Sequence, residues 1–354
     1  MDKIGWGQLG IVLALSRIFA EAANFPSDDI NYGMQRFTVI VLSYILLGIA
    51  LIPVYILTKN GASVISCSVS GKTGAVIMII YLVMASVSTT TRLQFYTSST
   101  IFDAAPPWIL ILFVSIVCLY GLFKGIPAVV RTGVIVAALF LFLLIAVIIG
   151  VSDHIQPDFL YAAFIDRPSA LLRDVTAEFS KNGELVIFAL LCSDVRKNAF
   201  RSLYVCLPAA LGVQLLMTFL YNTVLGEYLN NTSFPFYMLS ALSDISLLQR
   251  LDGIDVVVWV MSAVIKISLI SLAIYSACMK SFLNKKGARI ATIAALIVSG
   301  GASLYFSVNT NDFLNFATIL ESGIPLVTAG FIVPLCNAVF RFLKGKKEER
   351  YENS

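Results

Sequence analysis

The sequence predicts an all-α integral membrane protein of ten transmembrane helices, built as a 5+5 inverted repeat with helices 1 and 6 interrupted. Three observations carry this. Hydrophobic residues make up 58% of the chain and charged ones 13%, with a mean hydropathy of +0.87, which excludes a soluble globular domain. Apolar runs long enough to cross a bilayer as helices recur along the whole chain. Lysine and arginine gather on alternate sides of those runs, as the positive-inside rule requires of an even number of spans.

In order, the segments are expected at 6–26, 37–57, 74–96, 108–123, 128–151, 169–193, 203–226, 255–279, 288–306 and 316–340. With the N-terminus inside, only Arg36, Arg92, Arg167, Arg173, Lys181 and Arg250 fall on the outer side, and Arg17 and Lys266 fall within the membrane. The other basic residues lie on the inner side, so both termini are expected in the cytoplasm. Residues 237–248 are too short and polar to span and are expected as an interfacial helix. The whole chain, 1–354, reads as one membrane domain, with 6–151 as the first repeat and 169–340 as the second. Five is odd, so the second repeat enters the membrane inverted relative to the first, as in transporters that hold a ligand near the midplane at broken helices.

The first segment carries Ser16-Arg17 and Glu21-Ala22-Ala23-Asn24, and the sixth carries Asn182-Gly183 before Glu184. Both read as interrupted, in corresponding places. Gly183 admits backbone conformations that a side chain forbids. From Val256 to Met279 the eighth segment is mostly apolar and carries one full charge, Lys266, near its middle, where a lysine costs roughly 2.5–3.5 kcal/mol. At 100° per residue Trp259, Ser262, Lys266 and Ala273 share one side, with Ser268, Ser271, Tyr275 and Cys278 opposite. With polar groups on both sides, this helix is expected to be enclosed by others.

A charge at that depth calls for a partner. Glu21, Glu184 and Glu321 are the acids on segments that could approach Lys266, with Glu184 the first choice and unwound carbonyls of the first segment the rival. Arg17 and Glu21, spaced i,i+4, either neutralise each other or serve a ligand. The hydroxyl-rich run Ser86–Thr91, with Thr89 and Thr90, leads to Arg92 and suits a pocket wall or satisfies helix backbone. Ser271 and Tyr275 stand at pocket-lining spacing, which ordinary helix packing also explains.

The six cysteines are scattered without paired spacing and read as packing residues; the single histidine cannot build a metal or triad site alone. No HExxH helix, nucleophile elbow or phosphate loop is present. No enzymatic activity, cofactor, metal or nucleic-acid partner is therefore expected.

Phe234-Pro235, Gln249-Arg250, Trp259 and Lys266 resemble the signature between the seventh and eighth segments of the GerAB-type spore germination proteins, within the amino acid–polyamine–organocation permease superfamily. Gln8-Leu9 with Pro26, Gly71-Lys72, Arg92 with Pro106-Pro107, Tyr120, Gly125 with Arg131, and Gly183-Glu184 with Lys197 extend the likeness in order along the chain. The chain departs from the family in placing Ser16-Arg17 where a glycine-containing break is usual, and Cys192-Ser193 where a proline often follows. The resemblance implies an amino acid permease-like (LeuT-type) fold and a germinant-receptor B subunit in the spore inner membrane, working with an A subunit and a lipoprotein C subunit. The germinant would be amino acid-like, held at the helix breaks by backbone, with Ser16, Arg17, Glu21, Thr89, Thr90, Asn182, Gly183, Glu184, Ser271 and Tyr275 as candidate ligand contacts. Lys266, Glu184, Glu321 and Arg92 are candidate buried or coupling charges. A proton- or ion-coupled amino acid transporter is the alternative.

Overall fold

Helices form wherever the sequence is apolar, because a backbone in lipid must satisfy its own hydrogen bonds. The computed structural model describes residues 4–22, 34–59, 64–65, 69–100, 106–160, 168–195, 198–244, 251–281 and 284–352, and among them no strand occurs. Asn24, Pro26, Lys197, Gln249 and Arg250, named in the sequence reading, lie outside the described residues.

The helices are α1 (Trp6–Ala22), α2 (Met34–Ala50), α3 (Ile52–Thr58), α4 (Val69–Thr100), α5 (Pro107–Lys124), α6 (Ile126–Gly150), α7 (Pro168–Ser180), α8 (Glu184–Leu191), α9 (Leu203–Leu220), α10 (Pro235–Leu242), α11 (Asp252–Ser281), α12 (Lys285–Val308), α13 (Thr310–Glu321), α14 (Ile324–Val327) and α15 (Val333–Glu352). Eight helical stretches among the described residues are long and apolar enough to cross a membrane: Met34–Thr58, Gly71–Thr100, Pro107–Lys124, Ile126–Gly150, Ala199–Leu225, Asp252–Ser281, Lys285–Val308 and Ile324–Phe342. The other two expected segments correspond to α1, which has 17 residues, and to the divided pair α7 and α8.

Two boundaries differ from the sequence reading. The first segment is not broken at Ser16-Arg17; α1 runs helically through both to Ala22. Neither residue is a helix breaker, and their polar side chains find partners outside the helix. The tenth segment does not begin at 316. Helix α13 ends at Glu321, Gly323 turns the chain at φ +77°, where an L side chain is strained, and Pro325 opens the next helix. Glu321 therefore ends one helix instead of starting a span.

Helix α11 is the axis of the bundle. Every residue from Ile265 to Cys278 is buried, and the helix packs against α4, α6, α12, α5, α1 and α8. The expectation of an enclosed helix follows directly from its two polar faces. With no water to expel between helices in lipid, close packing holds such a bundle together. Val12 of α1 meets α6 at Gly133, where an added Cβ would stand 2.8 Å from both Val12 methyls. The resemblance residues converge at one end of α11: Tyr96 meets the rings of Phe234 (5.0 Å) and Trp259 (6.2 Å) edge-on. The Tyr96 hydroxyl donates to the buried Asp255 carboxylate at 3.0 Å. Helix α10 buries Phe236, Leu239 and Ser240, so the short segment expected at the interface packs partly into the bundle.

Candidate functional site

The chain between α7 and α8 breaks helix over residues 181–183. The last carbonyls of α7 are held by tightened main-chain bonds, Lys181 N–H to Glu178 O at 3.3 Å and Asn182 N–H to Phe179 O at 3.0 Å, and Asn182 Nδ2 reinforces both, donating to Phe179 O at 3.0 Å and Glu178 O at 3.4 Å. Glu184 then opens α8, where a negative charge suits the helix dipole. Gly183 has φ −57°, an ordinary right-handed value, so backbone strain is not why glycine stands here. The reason is space: a Cβ would lie 3.0 Å from the Tyr81 hydroxyl.

Beside the break lies the buried lysine. The Lys266 ammonium donates to Glu184 Oε1 at 2.8 Å and to the Ser16 carbonyl at 3.0 Å. Both partners weighed from the sequence are thus present, although the carbonyl belongs to a continuous helix. The Ser16 hydroxyl donates to the same Glu184 oxygen at 2.6 Å. Helices α1, α8 and α11 are tied at one point, and the lysine's desolvation cost is offset by a paired carboxylate and a backbone carbonyl.

Glu178, fully buried on α7, organises a second cluster. Arg17 Nη2 and Gln214 Nε2 donate to its Oε1, while Arg36 Nη2 at 2.7 Å and Lys181 Nζ at 3.0 Å donate to its Oε2. Arg36 also reaches Glu21 Oε1 at 2.7 Å, and Gln214 reaches Glu21 Oε2 at 3.0 Å. Arg17 stands 3.8 Å from Glu21 and takes Asn182 Oδ1 at 2.9 Å. The i,i+4 pair foreseen on α1 is therefore the lesser contact of each residue. Arg36 and Lys181, which charge counting placed on the outer surface, are side chains only 17% and 10% exposed.

A cavity of about 70 Å³ opens against the break. One water needs roughly 10–15 Å³ on this measure, so there is room for several waters or a small solute. Its polar wall includes Lys266, Lys181, Arg92, Glu321, Ser88 and Thr89, and Gly183 with Phe19, Tyr81 and Ile270 complete the apolar part. Arg92 and Glu321 pair at 2.6 Å. Three cationic side chains and one carboxylate face the cavity, with Glu184 paired to Lys266 and Glu178 to Lys181 from outside its lining.

A model of the spore permease family, described as spore germination protein, matches residues 38–311. The chain belongs to this family. Its long apolar helices and its membership make it a multi-pass membrane protein of germination-permease type. No curated protein matches the chain.

The spore permease fold brings Gly183, Lys266, Thr89, Arg92 and Glu321 to one cavity. Arg17, Asn182 and Glu184 line a smaller one on the other side of the break. Ser16 and Glu21 line neither, and nor do Thr90, Ser271 and Tyr275. Helical periodicity explains the last three: Ser271 and Tyr275 lie 140° and 180° around α11 from Lys266 at about 100° per residue, and Thr90 is turned away from Thr89. The Ser271 and Thr90 hydroxyls instead bond back to Ile267 O at 2.8 Å and Ser86 O at 2.9 Å. Glu178, Gln214 and Arg36 are additions that the sequence reading lacked. The available signal was Gln214, a lone amide within an apolar run, since intramembrane polar groups mark partners or pathways.

Proposed function

We propose that this spore permease is the permease-like B subunit of a germinant receptor, binding a small amino acid-like germinant in the cavity beside the 181–183 break. One observation carries the reading: three cationic side chains and a single carboxylate face a small cavity where a helix is interrupted near a buried ion pair. A germinant carboxylate suits Lys181 and Lys266, and its ammonium suits Glu321. These groups are already paired, Lys266 with Glu184, Lys181 with Glu178 and Arg92 with Glu321. Entry of a zwitterion therefore exchanges protein partners for ligand partners, and the freed charges shift α8 and α13. That displacement is what an A subunit and a lipoprotein C subunit would read in the spore inner membrane.

The same reading takes α1 and the divided α7–α8 as the first and sixth of ten spans, 6–151 and 169–340 as inverted repeats, and both termini as cytoplasmic. The transporter alternative uses the same cavity. The deciding experiment replaces the chain with Gly183→Leu in spores and exposes them to each amino acid in turn. The receptor reading expects a wild-type germination response to at least one amino acid, lost in the variant at normal abundance. Uptake of the effective amino acid into vesicles carrying the chain alone would favour the transporter.

A further inference from the structure

The second cavity, about 20 Å³, lies across the break from the first and is lined by Arg17, Tyr44, Asn182 and Glu184 among apolar side chains. Three of these present a buried polar atom without a hydrogen-bond partner: Arg17 Nη1, the Tyr44 hydroxyl and Glu184 Oε2. Buried polar groups are nearly always satisfied. Here the unsatisfied ones comprise a donor, an acceptor and a group that is both, and they share one small space. Glu184 is asymmetric in the same sense, because Lys266 and Ser16 both bond its Oε1 and leave Oε2 bare. Arg17 likewise spends Nε and Nη2 on Asn182, Glu178 and Gln214 while Nη1 has no bond.

We propose that this cavity is the binding site of one structural water molecule, which accepts from Arg17 Nη1, exchanges a hydrogen bond with Tyr44 and donates to Glu184 Oε2. The volume fits a single water and nothing larger, and three polar partners are the usual number for a buried one. The water would join the two charged clusters, giving a continuous path from Lys266 through Glu184, water and Arg17 to Glu178. A change at the Lys266 pair would then be felt at Arg36 and Glu21 on the far side of the break. The site does not depend on the germinant reading, because it is argued from unsatisfied atoms alone.

Two measurements on the full-length protein test it. A cryo-EM map fine enough to resolve waters should show a peak within hydrogen-bond distance of all three atoms, and the peak should be lost in Ala210→Leu, which fills the space. X-ray radiolytic labelling, which activates bound water in place, should modify Tyr44 well above Tyr237, a tyrosine that is likewise partly buried, and Ala210→Leu should remove that excess. An empty cavity in the wild-type map, a direct Arg17–Glu184 contact that closes it, or Tyr44 labelling no faster than Tyr237 would overturn the assignment. The wild-type map and labelling decide the matter even if Ala210→Leu fails to fold.

Discussion

The Lys266 ammonium sits 2.8 Å from Glu184 Oε1, with both side chains less than a tenth exposed, and joins the middle of α11 to the first turn of the half-helix α8. Removing one partner of such a pair strands the other in a poorly solvating interior, at about 3–5 kcal/mol. Lys266→Met and Glu184→Gln are each expected to lower abundance in the membrane and thermal stability by an amount in that range. The double variant should lose less than the two single losses combined. Strictly additive losses in a double-mutant thermal-unfolding cycle would show that the two groups act independently.

Glu178 accepts from Arg17, Arg36, Lys181 and Gln214, so its loss leaves several donors short of a charge. Glu178→Gln is expected to destabilise the protein by about 3–5 kcal/mol, and more than Glu21→Gln, whose partners are largely shared with Glu178. Comparing the midpoints of detergent-solubilised variants checks the order, and an equal or reversed ranking would remove Glu178 from the centre of the cluster.

Much of this arrangement was legible in the sequence, and the part that was not has a physical cause. Long apolar runs fixed the helices because lipid leaves no other way to satisfy backbone, and the depth of Lys266 demanded an acid. Glu184 was the first choice because in a fold of this kind the first, sixth and eighth segments meet near the midplane. Glu178 was hidden because one carboxylate in a mixed amphipathic stretch looks like a solvated face, and only the fold reveals that donors from three other helices, Arg17, Arg36 and Gln214, converge on it beside the neighbouring Lys181. The unbroken α1 was missed for a related reason: Ser16 and Arg17 look disruptive in isolation, yet Ser16 bonds to Glu184, and Arg17 bonds to Asn182 and Glu178 through Nε and Nη2.

Arg92 and Glu321 pair at 2.6 Å at the more open end of the cavity, with Glu321 29% exposed. A partly solvated pair contributes only about 0–1 kcal/mol. Arg92→Gln and Glu321→Gln should therefore leave stability nearly unchanged while shifting the germinant concentration that gives half-maximal response. A large fall in thermal stability with an unaltered response would make the pair structural.

The distribution of Lys and Arg predicts that cysteines introduced at Lys3 and Lys344 react only with reagent supplied from the cytoplasmic side. Labelling of either position from outside in intact cells would overturn the ten-span topology and with it the inverted repeat.

The claim that a small amino acid-like ligand occupies the cavity beside Gly183 is tested most directly by ligand-dependent thermal stabilisation of the purified chain. A panel of amino acids should include at least one that raises the unfolding temperature of the wild type and leaves Gly183→Leu, whose side chain would fill the space beside Tyr81, unshifted at equal folded fraction. The same ligand stabilising both proteins equally would place the binding site elsewhere and contradict the account.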